Sequence, residues 1–219
     1  MLVKNLPFDA LPHIELEDPV YRVLALMQDN NVLHIAVTHE DKFYGLIGEN
    51  DLLEADEDST IGELQYLLHN FSVKEDDHFL RAVALAVNHK LSIVPVTDGA
   101  GNYTGSVQSS NLLKHVADFI HLQEPGAMVV LEVDAQHYSS SDISKLVESN
   151  DAQVTQLNTS RNSENGKLFV TIKINKLEIS DIVSTFQRYE YNVKYYSGEE
   201  LYTNELKNNY ENLMNYLNI

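Results

Sequence analysis

Cysteine is absent from the 219 residues, and its absence removes disulfides, thiolate nucleophiles and Cys-ligated zinc together. Nine glycines and five prolines are too few for a fibrous or linker-dominated chain. Positive charge is also scarce: fifteen Lys and Arg face thirty-three Asp and Glu, a net charge of −18. Nucleic-acid binding is largely an exchange of protein cations for counterions on phosphates, so this balance opposes it. It opposes an anionic membrane surface for the same reason. Long apolar runs are missing as well. Runs such as Ala127–Leu131 are far too short to span a bilayer. The opening MLVKNLPFDALPHIE carries Asp9 and two prolines and no apolar block, so it does not read as a secretory signal. The expectation is a soluble, cytoplasmic protein with no nucleic-acid or membrane partner. It is long enough for one large or two modest domains, which bury roughly 70% of the unfolded surface.

What is present is a repeat. Leu24–Thr38 (LALMQDNNVLHIAVT) returns at Val83–Thr97 (VALAVNHKLSIVPVT), 59 residues on, and Gly45–Leu53 (GLIGENDLL) returns at Gly105–Leu113 (GSVQSSNLL), 60 on. The extra residue falls between the two blocks, where HEDKFY becomes DGAGNYT, and insertions belong in turns. Each copy therefore reads helix, strand, turn, strand, helix. Asp18 is expected to cap the first helix with Pro19 behind it, and Val20, Val23, Leu24 and Met27 mark its buried face. Asp76 or Asp77 would cap the second copy, with Leu80, Val83, Ala84 and Val87 inward. Strands are expected near Leu33–Val37, Phe43–Ile47, Ile93–Val96 and Tyr103–Val107, with further helices opening at Leu52-Leu53 and Leu112-Leu113. Thr60 and Glu63 have capping-box spacing ahead of Ile61, Leu64, Leu67 and Leu68.

Two β-α-β-β-α units, each ending in Gly-h-x-x-x-x-(Asp/Asn)-Leu-Leu, resemble a tandem pair of CBS domains over roughly residues 1–122. The resemblance implies an adenosine nucleotide in a cleft between the repeats. There the Asp before Leu-Leu takes ribose hydroxyls, and a Ser or Thr three residues earlier contacts phosphate. Carried onto this chain, Asp51 holds the ribose position of the first copy and Asn111 that of the second. Gly48 and Gln108 stand where Ser or Thr is usual, and Ala36 and Pro95 hold the matching strand positions. Asp51 and Asn111 are open to a second reading, as plain helix caps. Residues 1–122 carry seven basic against nineteen acidic residues, −12. A triphosphate entering that field needs local cations, and Arg22, Lys42, Arg81 and Lys114 are the ones in reach by sequence. A magnesium-bound nucleotide or a neutral nucleoside derivative suffers less.

A second module begins after Glu124-Pro125-Gly126. Ala127–Val133 reads as a strand, Ser139-x-x-Asp142 opens a helix with Ile143, Leu146 and Val147 inward, and Ala152–Leu157 and Leu168–Ile174 are strands. Asn175 and Glu178 can cap a helix burying Ile179, Ile182, Val183 and Phe186, and Asn192–Tyr196 closes the unit. This βαββαβ order is the ferredoxin-like split. Attached to a CBS pair it is similar to an ACT domain, and the combination resembles the acetoin-utilisation regulatory proteins. In that family the first strand-to-helix loop binds an amino acid. Here the loop holds Asp134, His137 and Tyr138 but no glycine, which argues against such a ligand and for an oligomerisation module. Leu206, Tyr210, Leu213 and Leu217 in the tail fit either packing on the parent domain or a subunit seam.

The fold class expected is thus α+β: CBS repeats at 1–62 and 63–122, an ACT-like domain at 126–197 and a helical tail at 198–219. No nucleophile–base spacing, phosphate-binding glycine loop or HExxH occurs, and neither His34/His39 nor His115/His121 has metal-ligand spacing. The expectation is a non-catalytic sensor, without metal or covalent cofactor, binding AMP, ADP, ATP or S-adenosylmethionine as a homodimer. The alternative is an adaptor with decayed sites that acts through a protein partner.

Overall fold

A computed structural model describes residues 1–9 and 11–198, so the tail stripe at Leu206–Leu217 lies outside the described residues. The chain forms two compact units that divide between Val116 and Ala117. The fold class is α+β. Among the described residues no helix is long and apolar enough to cross a membrane.

The first unit holds two matching three-stranded sheets. In one, β1 (His13–Glu15) runs parallel to β2 (His34–His39), which pairs antiparallel with β3 (Lys42–Gly48). In the other, β4 (Val73–Lys74), β5 (Ile93–Thr97) and β6 (Tyr103–Gln108) repeat the arrangement. The register slips at Val37/Thr38 in one copy and Val96/Thr97 in the other, the same place in the repeat. Helices α1 (Val20–Asp29) and α3 (Phe79–His89) follow the parallel strands; α2 (Glu49–Leu53) and α4 (Ser109–Phe119) follow the hairpins.

Each copy's leading segment docks on the other copy. Val3 and Leu6 are buried in the second repeat's core with Val73, Phe79 and Val107. Ile61 and Leu64, from a kinked 3-10 turn (Ile61–Leu67) in which the Glu63 carboxylate accepts the Thr60 N–H, are buried in the first repeat's core. Asp9 bridges Ser106 as His69 bridges Leu46, a shift of 60 in both partners. The repeated glycine admits these arms. A Cβ on Gly45 would lie 2.8 Å from the Leu68 Cβ, and one on Gly105 would lie 3.1 Å from the Phe8 ring.

Local readings shift in three places. The α1 cap is Pro19, because the Asp18 carboxylate is spent on the Glu15 N–H and the Arg22 guanidinium. Asp77 likewise takes the Lys74 N–H and Arg81, leaving His78 to cap α3 through Nδ1. The buried face of α3 is Phe79, Ala82 and Ala86, one residue out of phase with the expected stripe. Leu80 and Val87 are exposed. This helix is apolar on two faces, so periodicity alone could not choose between them.

The second unit is a four-stranded antiparallel sheet in the order β10-β7-β9-β8, from β7 (Ala127–Val133), β8 (Val154–Arg161), β9 (Leu168–Ile174) and β10 (Asn192–Ser197). Helices α5 (Ser140–Glu148) and α6 (Ser180–Arg188) complete the ferredoxin-like arrangement. Its core is Val129, Leu131, Ile143, Val147, Val170, Ile172, Ile182 and Phe186. Ser139 caps α5 as expected, accepting from the Asp142 N–H at 3.3 Å. Asn175 does not cap α6; its side chain accepts the Gln153 N–H at 2.8 Å, and Glu178 alone reaches the Ser180 N–H.

Candidate functional site

The first repeat's β2, β3 and α2 converge on a cavity of about 400 Å³ that the end of α3 closes from the second repeat. Its wall includes His34, Gly48, Glu49, Asp51, His89 and Lys90. The strand pairing sets His34 opposite Gly48, and Glu49 N–H binds the Leu33 carbonyl at 2.9 Å, which holds the strand start against the helix start. Lys90 reaches the wall because α3 ends on it in the left-handed conformation (φ 54°). Asp51 sits inside α2, which begins at Glu49 after Gly48, and Asn111 lies in the first turn of α4. Neither is the simple helix cap that stood as the second reading.

His34 spans the two repeats. The Ser92 N–H donates to its Nδ1 at 3.2 Å, and the Ser92 hydroxyl, 3.1 Å from the same nitrogen, accepts the Leu33 N–H at 3.0 Å. A nitrogen that accepts a backbone N–H carries no proton, so the proton sits on Nε2. A Cβ built on Gly48 would lie 3.2 Å from Asp51 Oδ2 and 3.8 Å from His34 Nε2. Carboxylate and imidazole edge therefore flank one point, and glycine keeps it open. Burial lowers the His34 pKa; the Asp51 charge pulls it back up, and His69 lowers it further. The wall thus offers a neutral N–H donor, a carboxylate acceptor and one ammonium, the set needed to hold hydroxyls and a single anionic group.

The second half differs. The Asp9 carboxylate accepts the Gln108 N–H at 2.7 Å and the Asn111 side-chain N–H at 2.6 Å. Gln108 and Asn111 are brought together, but by a residue of the chain itself. Ala36 and Pro95 lie buried within β2 and β5, paired with Leu46 and Ser106, and do not line the 400 Å³ cavity. Of the cations expected, Arg22 and Arg81 are held by Asp18 and Asp77, and Lys42 and Lys114 are absent from that cavity wall.

Sequence reading passed over His34, Ser92 and Lys90 as site residues. The signal was a break in the repeat, since His34 aligns with Ile93 in an otherwise matching strand.

In the second unit a cavity of about 760 Å³ includes Asp134 and His137 with Glu132, Lys145, Lys167 and Tyr191. Tyr138 packs on the core instead. Lys167 lies 3.6 Å from Asp134, and Asn165 and Lys194 hold the Glu132 carboxyl below its usual pKa. Among the described residues no group of three His, Asp or Glu side chains is arranged to hold a metal ion.

Residues 3–58 match the CBS domain family. The chain is similar to a CBS domain pair/ACT domain protein from Thermotoga maritima at 25% identity, over 55% of this chain and 99% of that one, with a TM-score of 0.50. It also matches CBSX2 in complex with AMP (19% identity, 54% and 97% covered, TM-score 0.46). The cytosolic domain of the Mg2+ channel MgtE in complex with ATP matches as well (19% identity, 49% and 46% covered, TM-score 0.41). No curated protein matches the chain.

Proposed function

We propose that the chain is a non-catalytic sensor that binds an adenine-containing nucleotide or nucleoside derivative at the first half-site. The observation that carries the reading is the 400 Å³ cavity at the seam of the repeats, where Asp51, His34 and Lys90 converge. A cavity of that size lies within the range of small-ligand sites. Asp51 accepts ribose hydroxyls, the Nε2–H of His34 donates, and Lys90 faces the phosphate. One ammonium beside Glu49 and Asp51 suits a monophosphate or S-adenosylmethionine better than a free triphosphate. Because α3 closes the cavity from the other repeat, a bound ligand is read as a change in how the two repeats pack.

The assembly is a homodimer through the exposed apolar faces of α1 with α2 and of α3 with α4. Leu80 and Leu113 are exposed in the second repeat, as Tyr21 and Leu53 are at matching places in the first; Val87, opposite Gln28 of the first copy, extends the second copy's patch, and Val87 and Leu113 are each 70% exposed. A face repeated in both copies suits a second copy of the same chain. The ferredoxin-like unit is then an ACT-type assembly or relay element, as in the acetoin-utilisation regulators that the domain order resembles. The adaptor reading keeps one supporting observation, the occupation of the second half by Asp9.

Thermal denaturation with AMP, ADP, ATP, S-adenosylmethionine and NAD tests the sensor. A ligand at about a hundred times its Kd adds about 2.7 kcal/mol, a shift of several degrees. No shift with any of them at millimolar concentration refutes it.

A further inference from the structure

We infer that Asp9 is a built-in occupant of the second half-site, so that each chain takes one ligand rather than two. The inference rests on the sensor reading for the first half. The two halves descend from one pattern: Gly48, Asp51 and His69 in the first correspond to Gln108, Asn111 and Asp9 in the second. In the first, the arm residue His69 turns its ring onto Phe71, with ring centres 5.2 Å apart, and the cavity stays open. In the second, the arm residue is a carboxylate. It accepts the backbone N–H that precedes α4 and the Asn111 amide, and its own N–H is fixed to the Ser106 carbonyl at 3.1 Å. Phe8, packed on Gly105, pins the arm from the neighbouring position.

The departure of Asn111 from the Asp51 of the first copy follows from the same contact. An Asp there would set two carboxylates at hydrogen-bond distance, whereas the amide supplies a donor. Asn111 and Asp9 are therefore a matched pair. The donors that Asp9 holds are those an incoming anionic or hydroxyl group would need, so any ligand of the second half must first displace it. Charge-assisted hydrogen bonds of this kind weaken a competitor by roughly ten- to a hundredfold each.

Calorimetric titration of the full chain with AMP reads the stoichiometry. The wild type is expected to bind one AMP per chain and Asp9→Ala two, with Asp51→Ala removing one from either background. Asn111→Asp, which repels Asp9 and leaves the arm in place, is expected to give two as well, and serves should Asp9→Ala fail to fold. Two equivalent AMP molecules on the wild type, or one on the folded Asp9→Ala and Asn111→Asp chains, overturns the inference. Binding only in Asp9→Ala, undisturbed by Asp51→Ala, upholds the plug and sinks the first-half reading. No binding by any chain sinks both.

Discussion

Replacing His34 by Gln isolates a titratable group that bridges the repeats at the cavity. The imidazole accepts the Ser92 N–H through Nδ1, a bond that protonation abolishes. Gln offers a carbonyl oxygen for the same donor and does not titrate. The folded state lowers the His34 pKa below its ordinary 6.5, chiefly through burial, with His69 adding to the effect and Asp51 opposing it. A group whose folded pKa is depressed binds more protons when unfolded. Its stabilising contribution is present above pH 6.5 and is lost as pH falls from there through the folded pKa. The limiting slope is about 1.4 kcal/mol per pH unit for one proton. The half-buried ring is partly screened by solvent, so a few tenths of a kcal/mol per unit is the working expectation. Urea denaturation of wild type and His34→Gln at several pH values between 7.5 and 5 reads the difference. The gap in stability should move in favour of Gln as the solution is acidified. A gap that is flat across the range refutes the bridging role. A gap that moves in favour of His implies that the Asp51 charge outweighs burial.

Asp51→Ala should abolish nucleotide stabilisation in thermal denaturation while changing the unliganded melting temperature little, since its carboxylate is not the α2 cap. Gly45→Ala should destabilise by about 1–3 kcal/mol in chemical denaturation, because its Cβ would meet the Leu68 Cβ at 2.8 Å and the arm would have to move. Val87→Lys together with Leu113→Lys should leave the fold intact by circular dichroism and halve the mass measured by sedimentation, if the repeated apolar face joins two copies. Lys173→Met should loosen the turn at His121–Glu124, whose carbonyls its buried ammonium holds; faster amide exchange confined to that turn would show it.

The repeat was legible because the strands and hairpins are local and their pattern recurs at 59 and 60 residues. In the second unit, the alternation of Val170, Ile172 and Ile174 against Phe169, Thr171 and Lys173 pointed to β9 at its observed bounds, although Lys173 is buried as well. What escaped was non-local. The exchange of arms left no mark in periodicity, since Val3 and Leu6 look like any apolar pair until the other repeat's core is there to receive them. The phase of α3 was lost for another reason: a helix with two apolar faces offers two equally good stripes. At the site, Asp51 and Gly48 could be named from the repeated motif. Lys90 enters only through a left-handed helix end, and Ser92 only through a bond to the other repeat.

Duplicated folds are symmetric by default, so positions where the copies disagree at equivalent places carry information. In the cores the disagreements are conservative: Val20, Val23 and Met27 become Phe79, Ala82 and Ala86, apolar for apolar. Around the two half-sites they change chemistry, with His34 set against Ile93, Gly48 against Gln108, Asp51 against Asn111 and His69 against Asp9. Packing does not require such changes, because both copies build the same sheet with the same bulge. The asymmetry has a direction. One side gains a titratable donor, a free carboxylate and an open wall; the other gains a carboxylate and the amide that neutralises its demand for donors. Restoring symmetry separates a functional division of labour from drift. A chain carrying Asp9→His, Gln108→Gly and Asn111→Asp should fold as the wild type does and bind a second nucleotide, more weakly than the first because Ile93 and Asn31 stand where the first half has His34 and Lys90. If it folds and still binds one, the differences around the half-sites are incidental to how many ligands the chain takes.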